Sequence, residues 1–440
     1  MDRITIKARC IFVSFLLLGS PLFSAQKQDL SVKGFDIKQL LPQSTNQSIG
    51  LKDLLGRAKK NYQLIAKNDG IAKAEAEKVS ALLEFGPTIS ANYNYQYQTN
   101  PSIQNRREYY GGNQAGVTGN LELYSGFSTI NKVKQKDALY RSAIADRNFT
   151  EQNLYLQIIQ QYYAYFTNYS NLISLKQKRK LLQSNVERLQ KLYSSGLTTV
   201  DDLESLKAEA SLTDYQIAQK ELDIEQNRLN LSLLTSSEVK QIVRNELVYP
   251  NVQIKKERAD ITSLQAQVQS IDFQKRQLTY APKINLYNTF SYGDVFGNSS
   301  VLKPQEKIQN VVGISVSMTL DSFALFKQRE AIGFSQMQTF KELSYKREEQ
   351  KKDIMLYERS LKTAKIKIKS AQAGLRSAII TFENVSKRYD AQLVTYVDYL
   401  NALSQKFTAE ATYVESLNNY EIQKANFAFY SGQNLLQYVQ

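Results

Sequence analysis

The side chains that most often carry out chemistry are nearly missing from this chain. It has 440 residues, no His, no Trp and a single Cys, Cys10. Without His there is no imidazole base near neutral pH, and without His or paired Cys there is no soft metal site. No Gly-rich phosphate loop and no Ser-based nucleophile elbow occurs either. These residue types point to no enzyme activity, no cofactor and no bound metal. The chain does supply Tyr, 28 in all, with Tyr93, Tyr95 and Tyr97 at alternate positions and Tyr124 and Tyr292 elsewhere. A ring with an apolar body and a polar tip suits the boundary between water and lipid, where such Tyr would replace the absent Trp.

Extended strands must position those Tyr. In residues 88–98, Ile89, Ala91, Tyr93, Tyr95 and Tyr97 share one side, with Ser90, Asn92, Asn94, Gln96 and Gln98 on the other. Residues 114–123, 283–292 and 310–320 alternate in the same way. Each run is about the 9–11 residues that a tilted strand needs to cross a bilayer. The apolar face suits lipid and the small polar face suits a wet lumen. Four strands are too few to close a barrel, and open edges are not tolerated in lipid, so several copies must share one.

Only 18 Gly and 7 Pro interrupt the chain, which implies long elements. Arg3, Lys7 and Arg9 precede the apolar run Ile11–Leu18 and the small residues Ser24 and Ala25, the pattern of a secretory signal peptide over residues 1–25. The formal charge of +14 falls to +12 without that segment, which holds three basic residues and one acidic. Lys and Arg are spread among Glu, Asp and Gln, even around Lys362, Lys365, Lys367 and Lys369, as on solvated helix faces. Dispersed charge and an export signal argue against nucleic acid as a partner.

The chain then reads as two copies of one plan. After an N-terminal arm (26–50), the first repeat (51–235) has a helix to about Phe85, strands 88–98 and 114–123, a long helix over roughly 127–193 and a return helix over 197–235. At 1.5 Å per residue the long helix would be about 100 Å, too long to stand without partner helices. A linker (236–257) with a strand-like piece at Val248–Ile254 precedes the second repeat (258–432) and a tail (433–440). Ala281-Pro282 answers Gly86-Pro87, and Tyr389-Asp-Ala-Gln392-Leu393 answers Tyr193-Ser-Ser195-Gly196-Leu197.

On these features the chain resembles the TolC-type outer-membrane efflux proteins. The resemblance rests on SIGLKDLLGRAKKNYQLIAKNDGIAKAEAEKVSALLEFGPTIS (48–90), LYSGF (123–127), LYSSGLTTVDDLESLKAEA (192–210) and, more loosely, RYDAQLVTYVDYLNAL (388–403). It implies a mainly α fold with a transmembrane β-barrel. A long antiparallel helical tube would join a 12-strand barrel shared by three protomers of four strands each, with an internal two-fold repeat. It further implies a homotrimer in outer-membrane lipid that works with a periplasmic adaptor protein and an inner-membrane pump. Residues 236–257 would then form an equatorial belt around the tube.

By the same resemblance Asp398 lies at the periplasmic aperture, with Asn401 where a second acid is common. Three Asp398 carboxylates brought together would raise their apparent pKa, although Asp is also a common residue near a helix start. Ser195, Gly196 and Leu197 match an adaptor-docking tip, and Gln392, in place of a turn glycine, and Leu393 form its counterpart. Arg106 and Arg107 in the first outer loop would meet anionic lipopolysaccharide. Two readings compete with small-solute efflux: an outer-membrane channel for type I protein secretion, and a periplasmic or surface coiled-coil structural protein.

Overall fold

The computed structural model describes residues 48–101, 107–297, 307–318 and 322–439, together with residues 32, 35, 36 and 40–42. The expected signal peptide, most of the N-terminal arm, Arg106 and Leu320 lie outside the described residues.

Strands β1 (Thr88–Pro101), β2 (Arg107–Tyr124), β3 (Lys283–Gly297) and β4 (Ile308–Ser317) form one antiparallel sheet in the order β1-β2-β3-β4. Strands that the sequence separates into two distant pairs are thus continuous, because β2 pairs with β3. The register follows the alternation of side chains. Ala91 lies opposite Val117, Val117 opposite Phe290, and Leu286 opposite Ile314. A slip of one residue would turn a whole apolar row to the other face. β1 and β3 run past the expected ends at 98 and 292, and β4 stops at Ser317, short of the expected 320.

The helices are α1 (Leu51–Arg57), α2 (Tyr62–Leu83), α3 (Ser128–Ser194), α4 (Val200–Thr235), α5 (Ala259–Gln277), α6 (Ser322–Asp390) and α7 (Tyr396–Tyr430). α3 and α6 hold 67 and 69 residues, each about 100 Å long at 1.5 Å per residue. The single helix expected from Leu51 to Phe85 is instead broken by a 3₁₀ turn at Ala58–Lys60 and by extended Asn61. The Asn61 side chain accepts from the Gln63 N–H at 2.8 Å to start α2, and donates to the Leu234 carbonyl at 3.0 Å, near the end of α4. One residue therefore caps two helix ends at once and sets α2 on top of α4.

The second half makes the same joint with other residues. Gln350 of α6 donates to the carbonyls of Lys256 at 2.8 Å and Tyr430 at 3.2 Å, and the Lys256 N–H reaches the Ser431 carbonyl at 2.9 Å. α7 thereby meets α5 end to end. In each half a long helix is faced by two shorter ones, α3 by α4 and α2, and α6 by α7 and α5.

The core lies where the short helices meet. Tyr155, Tyr162, Tyr163 and Phe166 of α3 are buried with Phe429 of α7 and with Val239, Ile242 and Leu247 of the linker. Burying each such ring contributes about 2 to 3 kcal/mol. Their hydroxyls are not wasted, since Tyr163 donates to the Asn245 carbonyl at 2.8 Å and Tyr162 accepts from the Asn245 N–H at 2.8 Å. The strand-like piece expected at Val248–Ile254 does not form. Leu247 makes a lone bridge to Val439, and a buried pair, Glu421 and Lys424 at 2.7 Å, takes both polar groups of the Leu247 backbone. Satisfied there by side chains, the linker backbone has no need of a sheet.

Candidate functional site

The two places where the sequence concentrates functional residues are the helix tips and the sheet, at opposite ends of α3 and α6. At the first tip Gly196 takes a left-handed conformation, φ 69°, and its N–H meets the Tyr193 carbonyl while the Leu197 N–H meets that of Leu192, each at 2.9 Å. The second tip repeats this geometry with Gln392 at φ 60°, Gln392 N–H to Tyr389 at 2.9 Å and Leu393 N–H to Arg388 at 2.8 Å. Both long helices therefore end in the same left-handed closure. A side chain at that φ costs about 1 kcal/mol or more, a cost Gly196 avoids. Ser195, exposed, donates back to the Lys191 carbonyl of its own helix at 3.1 Å. Leu197 and Leu393 are 73% and 69% exposed, large apolar side chains held out at the extremity of the molecule.

Asp398 is part of the start of α7. Thr395 accepts from the Asp398 N–H at 3.2 Å, while the Asp398 carboxylate accepts from the Thr395 N–H at 3.2 Å and its hydroxyl at 2.6 Å, a complete capping box. The Thr395 hydroxyl, then its N–H, hold the Asp398 carboxyl below the ordinary Asp range. Within one protomer the direction is thus opposite to the rise expected from a ring of carboxylates. Asn401 is exposed one turn further along α7, followed by exposed Gln405, Thr408 and Thr412. From Asn401 to Thr412 that stripe is polar and uncharged.

The structure brings the two tips side by side. Tyr396 and Leu400 of α7 pack against Leu182, Leu189, Leu203 and Leu206 of α3 and α4. Tyr389 stacks on Tyr399 at 4.9 Å, and the Arg188 guanidinium lies over the Tyr389 ring at 5.1 Å. Sequence reading did not single out this aromatic knot, which joins Tyr389 at the end of α6 to Tyr396 and Tyr399 in the first turn of α7 across the turn between them.

At the other end the sheet separates two chemistries. Ile89, Tyr93, Tyr95, Tyr97, Val117, Phe290, Tyr292, Val312, Ile314 and Val316 share one face, and all are exposed. The opposite face carries Ser90, Asn92, Asn94, Gln114, Thr118, Thr289 and Ser291, with Thr118 and Thr289 hydroxyls 3.1 Å apart. Gly313 is required there because Tyr287 lies flat across it; a Cβ would sit 2.5 Å from the Tyr287 hydroxyl. Along the apolar face of β3, Ile284 is followed only at Asp294 by a charge, which pairs with Lys307 at 3.2 Å. Ten residues at about 3.3 Å and a tilt near 40° span about 25 Å, the height of the apolar band of a membrane barrel.

Tyr93 and Tyr292 stand level with Ala115 between them, and Tyr95 and Tyr97 continue toward the outer end. Tyr124 differs, being half-buried at the helix end of β2 with its ring edge-on to Phe127 at 5.8 Å. The aromatic set at that inner end is instead Phe85, Phe127, Phe323 and Phe326, all exposed at strand–helix junctions. Their signal in the sequence was a Phe within a few residues of each junction. Among the described residues no helix is long and apolar enough to cross a membrane, and no cluster of His, Cys, Asp or Glu could hold a metal ion.

Comparison with known proteins agrees with this geometry. The family model described as outer membrane efflux protein matches residues 58–237. The fold is similar to the channel CusC, with a TM-score of 0.76 at 16% identity over 90% of this chain and 97% of that one. It is similar to the CmeC outer membrane channel of Campylobacter jejuni, with a TM-score of 0.78 at 15% identity over 91% and 92%. It also resembles the outer membrane protein VceC of Vibrio cholerae, with a TM-score of 0.75 at 14% identity over 88% and 96%. No curated protein is similar enough in sequence to count as a relative. The resemblance to the TolC-type outer-membrane efflux proteins is thus borne out, by the family match over residues 58–237 and by a fold shared over about nine-tenths of the chain.

Proposed function

We propose that the chain forms the outer-membrane channel of a tripartite efflux system, a passive exit duct for small solutes across the periplasm and the outer membrane. The sheet carries this reading: one face apolar and exposed, the other polar, and the outer edges of β1 and β4 without a partner strand among the described residues. In lipid each unpaired edge would leave N–H and C=O groups where no water reaches them. Three copies give twelve strands, an even number within the range of closed barrels, and turn their polar faces to one wet bore.

The helices have open flanks of the same kind. Leu212, Leu222, Leu229 and Leu233 of α4, and Phe334, Met337, Met355 and Ile366 of α6, are large, apolar and exposed. Joined between copies, these flanks continue the bore as a tube. Asp398 and Asn401 then mark its periplasmic mouth, and Ser195, Gly196, Leu197, Gln392 and Leu393 form the rim. Leu197 and Leu393 offer apolar contact to a periplasmic adaptor that links the channel to an inner-membrane pump, which supplies the energy.

Cells lacking the chain are expected to become more susceptible to exported small solutes. Gly196→Trp is expected to leave trimers in the outer-membrane fraction without restoring efflux. Full efflux from Gly196→Trp would separate the rim from docking. Recovery of the chain only as a soluble, elongated monomer would remove the channel reading altogether.

A further inference from the structure

One groove in the helical wall is closed at both of its ends. Towards the tips α7 is packed on α3, Leu403 and Phe407 with Leu181, and Leu400 with Leu182. Towards the core the Asn418 amide donates to the Thr167 hydroxyl at 3.0 Å. Between these closures α3, α4 and α7 bound a groove of about 460 Å³, a volume that suits a small molecule. Phe407, Leu175 and Ala411 give it apolar surface, and Tyr215, 67% exposed, stands at its rim.

The charges of its lining are already matched. Lys178 is paired with Glu209 at 2.6 Å, Lys220 with Asp223 at 2.7 Å and Glu415 with Lys367 at 2.9 Å. The Thr408 and Thr412 hydroxyls bond back to carbonyls of their own helix, each at 2.8 Å. Two polar atoms of the lining are different. Asn171 Oδ1 and Ser174 Oγ are buried with no hydrogen-bond partner among the described residues, and Ser174 is 3% exposed. Buried polar atoms left unpaired are costly, and a bound group that pairs with them removes that cost.

We propose that this groove is a subsite for uncharged solutes that join an apolar ring to a hydroxyl or N–H, a phenol being the simplest. It names a substrate class for the channel reading and rests on that reading for its place in the duct. The ring lies against Phe407, Leu175 and Ala411, its donor meets Asn171 Oδ1, and Ser174 Oγ makes the second bond. A charged solute would give up water there and find no free counter-charge. Asp398, Asn401, Gln405, Thr408 and Thr412 follow one another at spacings of three and four on α7, which places them on one face. The groove therefore opens on the bore about 15 to 21 Å beyond the mouth. Binding is weak enough for release to follow, as passage requires.

The test uses the full chain as trimers in lipid nanodiscs, with β-naphthol as probe in equilibrium dialysis and empty discs to subtract uptake by lipid. Saturable binding of one molecule per protomer is expected. Ser174→Ala and Asn171→Leu are each expected to weaken it about fivefold, as loss of one hydrogen bond implies. β-Naphthyl methyl ether, which has no donor, is expected to bind the parent more weakly by a similar factor. Ser174→Ala is also expected to unfold at or above the parent's midpoint, because its hydroxyl has no partner to lose; a lower midpoint would show that hydroxyl engaged in the fold and overturn the site. Uptake equal to that of empty discs would overturn it too, as would equal affinity in the parent and both variants, or tighter binding of β-naphthoate. Saturable binding without current in planar bilayers would undo the channel reading alone; current without saturable binding would overturn the subsite alone.

Discussion

Two demands meet on the carboxylate of Asp398. Its oxygen already accepts from Thr395, which holds it ionised and starts α7. Three copies about one axis would add mutual repulsion acting the other way. Asp398→Asn removes the charge and keeps an acceptor for the cap, so α7 is expected to fold while the trimer loses preference for cations over anions in planar-bilayer recordings. Unchanged preference would leave Asp398 a cap and nothing more. The tips themselves were legible, because Tyr-Ser-Ser-Gly-Leu and Tyr-Asp-Ala-Gln-Leu occupy matching places in the two repeats. The capping box was legible only as the general tendency of Asp near helix starts, since the bond from Thr395 depends on where α7 begins.

Elements are joined by contacts that no local pattern shows. Leu51, Leu54, Leu55 and Ala58 are buried as their spacing predicts, but Tyr62 is 80% exposed, because the helix breaks at Asn61 and restarts with a new face. The cause lies in the Leu234 carbonyl, 173 residues away in the chain. Asn61→Ala removes both caps and is expected to cost about 1 to 2 kcal/mol, read as a lower unfolding midpoint of the assembled protein. A second outcome concerns acid. Lys136 and Lys78, each mainly by hydrogen bonding, hold Glu77 of α2 and Asp137 of α3 below their ordinary ranges. Depressed carboxylates add stability above their unfolded values and lose it as pH falls through the folded ones. On acidification below about pH 4, α2 is expected to lose amide-exchange protection before α3 does. Equal loss in both helices would show that these pairs do not hold α2 in place.

At the scale of the whole molecule, the internal repeat and the two-faced strands were readable because each repeats a period that side-chain geometry imposes. The continuity of the sheet was not, since pairing of β2 with β3 joins segments more than 150 residues apart. Nor was the end-to-end stacking of short helices, which depends on single polar side chains. The sheet ends at two edges, β1 and β4, that one copy cannot bring together. The decisive measurement is therefore a cross-link between them in a Cys10→Ser chain, with Cys at Ile314 and, in turn, at Ile89, Ala91 or Tyr93, all on the apolar face. Disulfide-linked multimers up to trimers, formed only in the membrane fraction, are the predicted result. Water-soluble single copies with an intact sheet and no link between β1 and β4 would contradict the idea that the pore wall is built by several chains together.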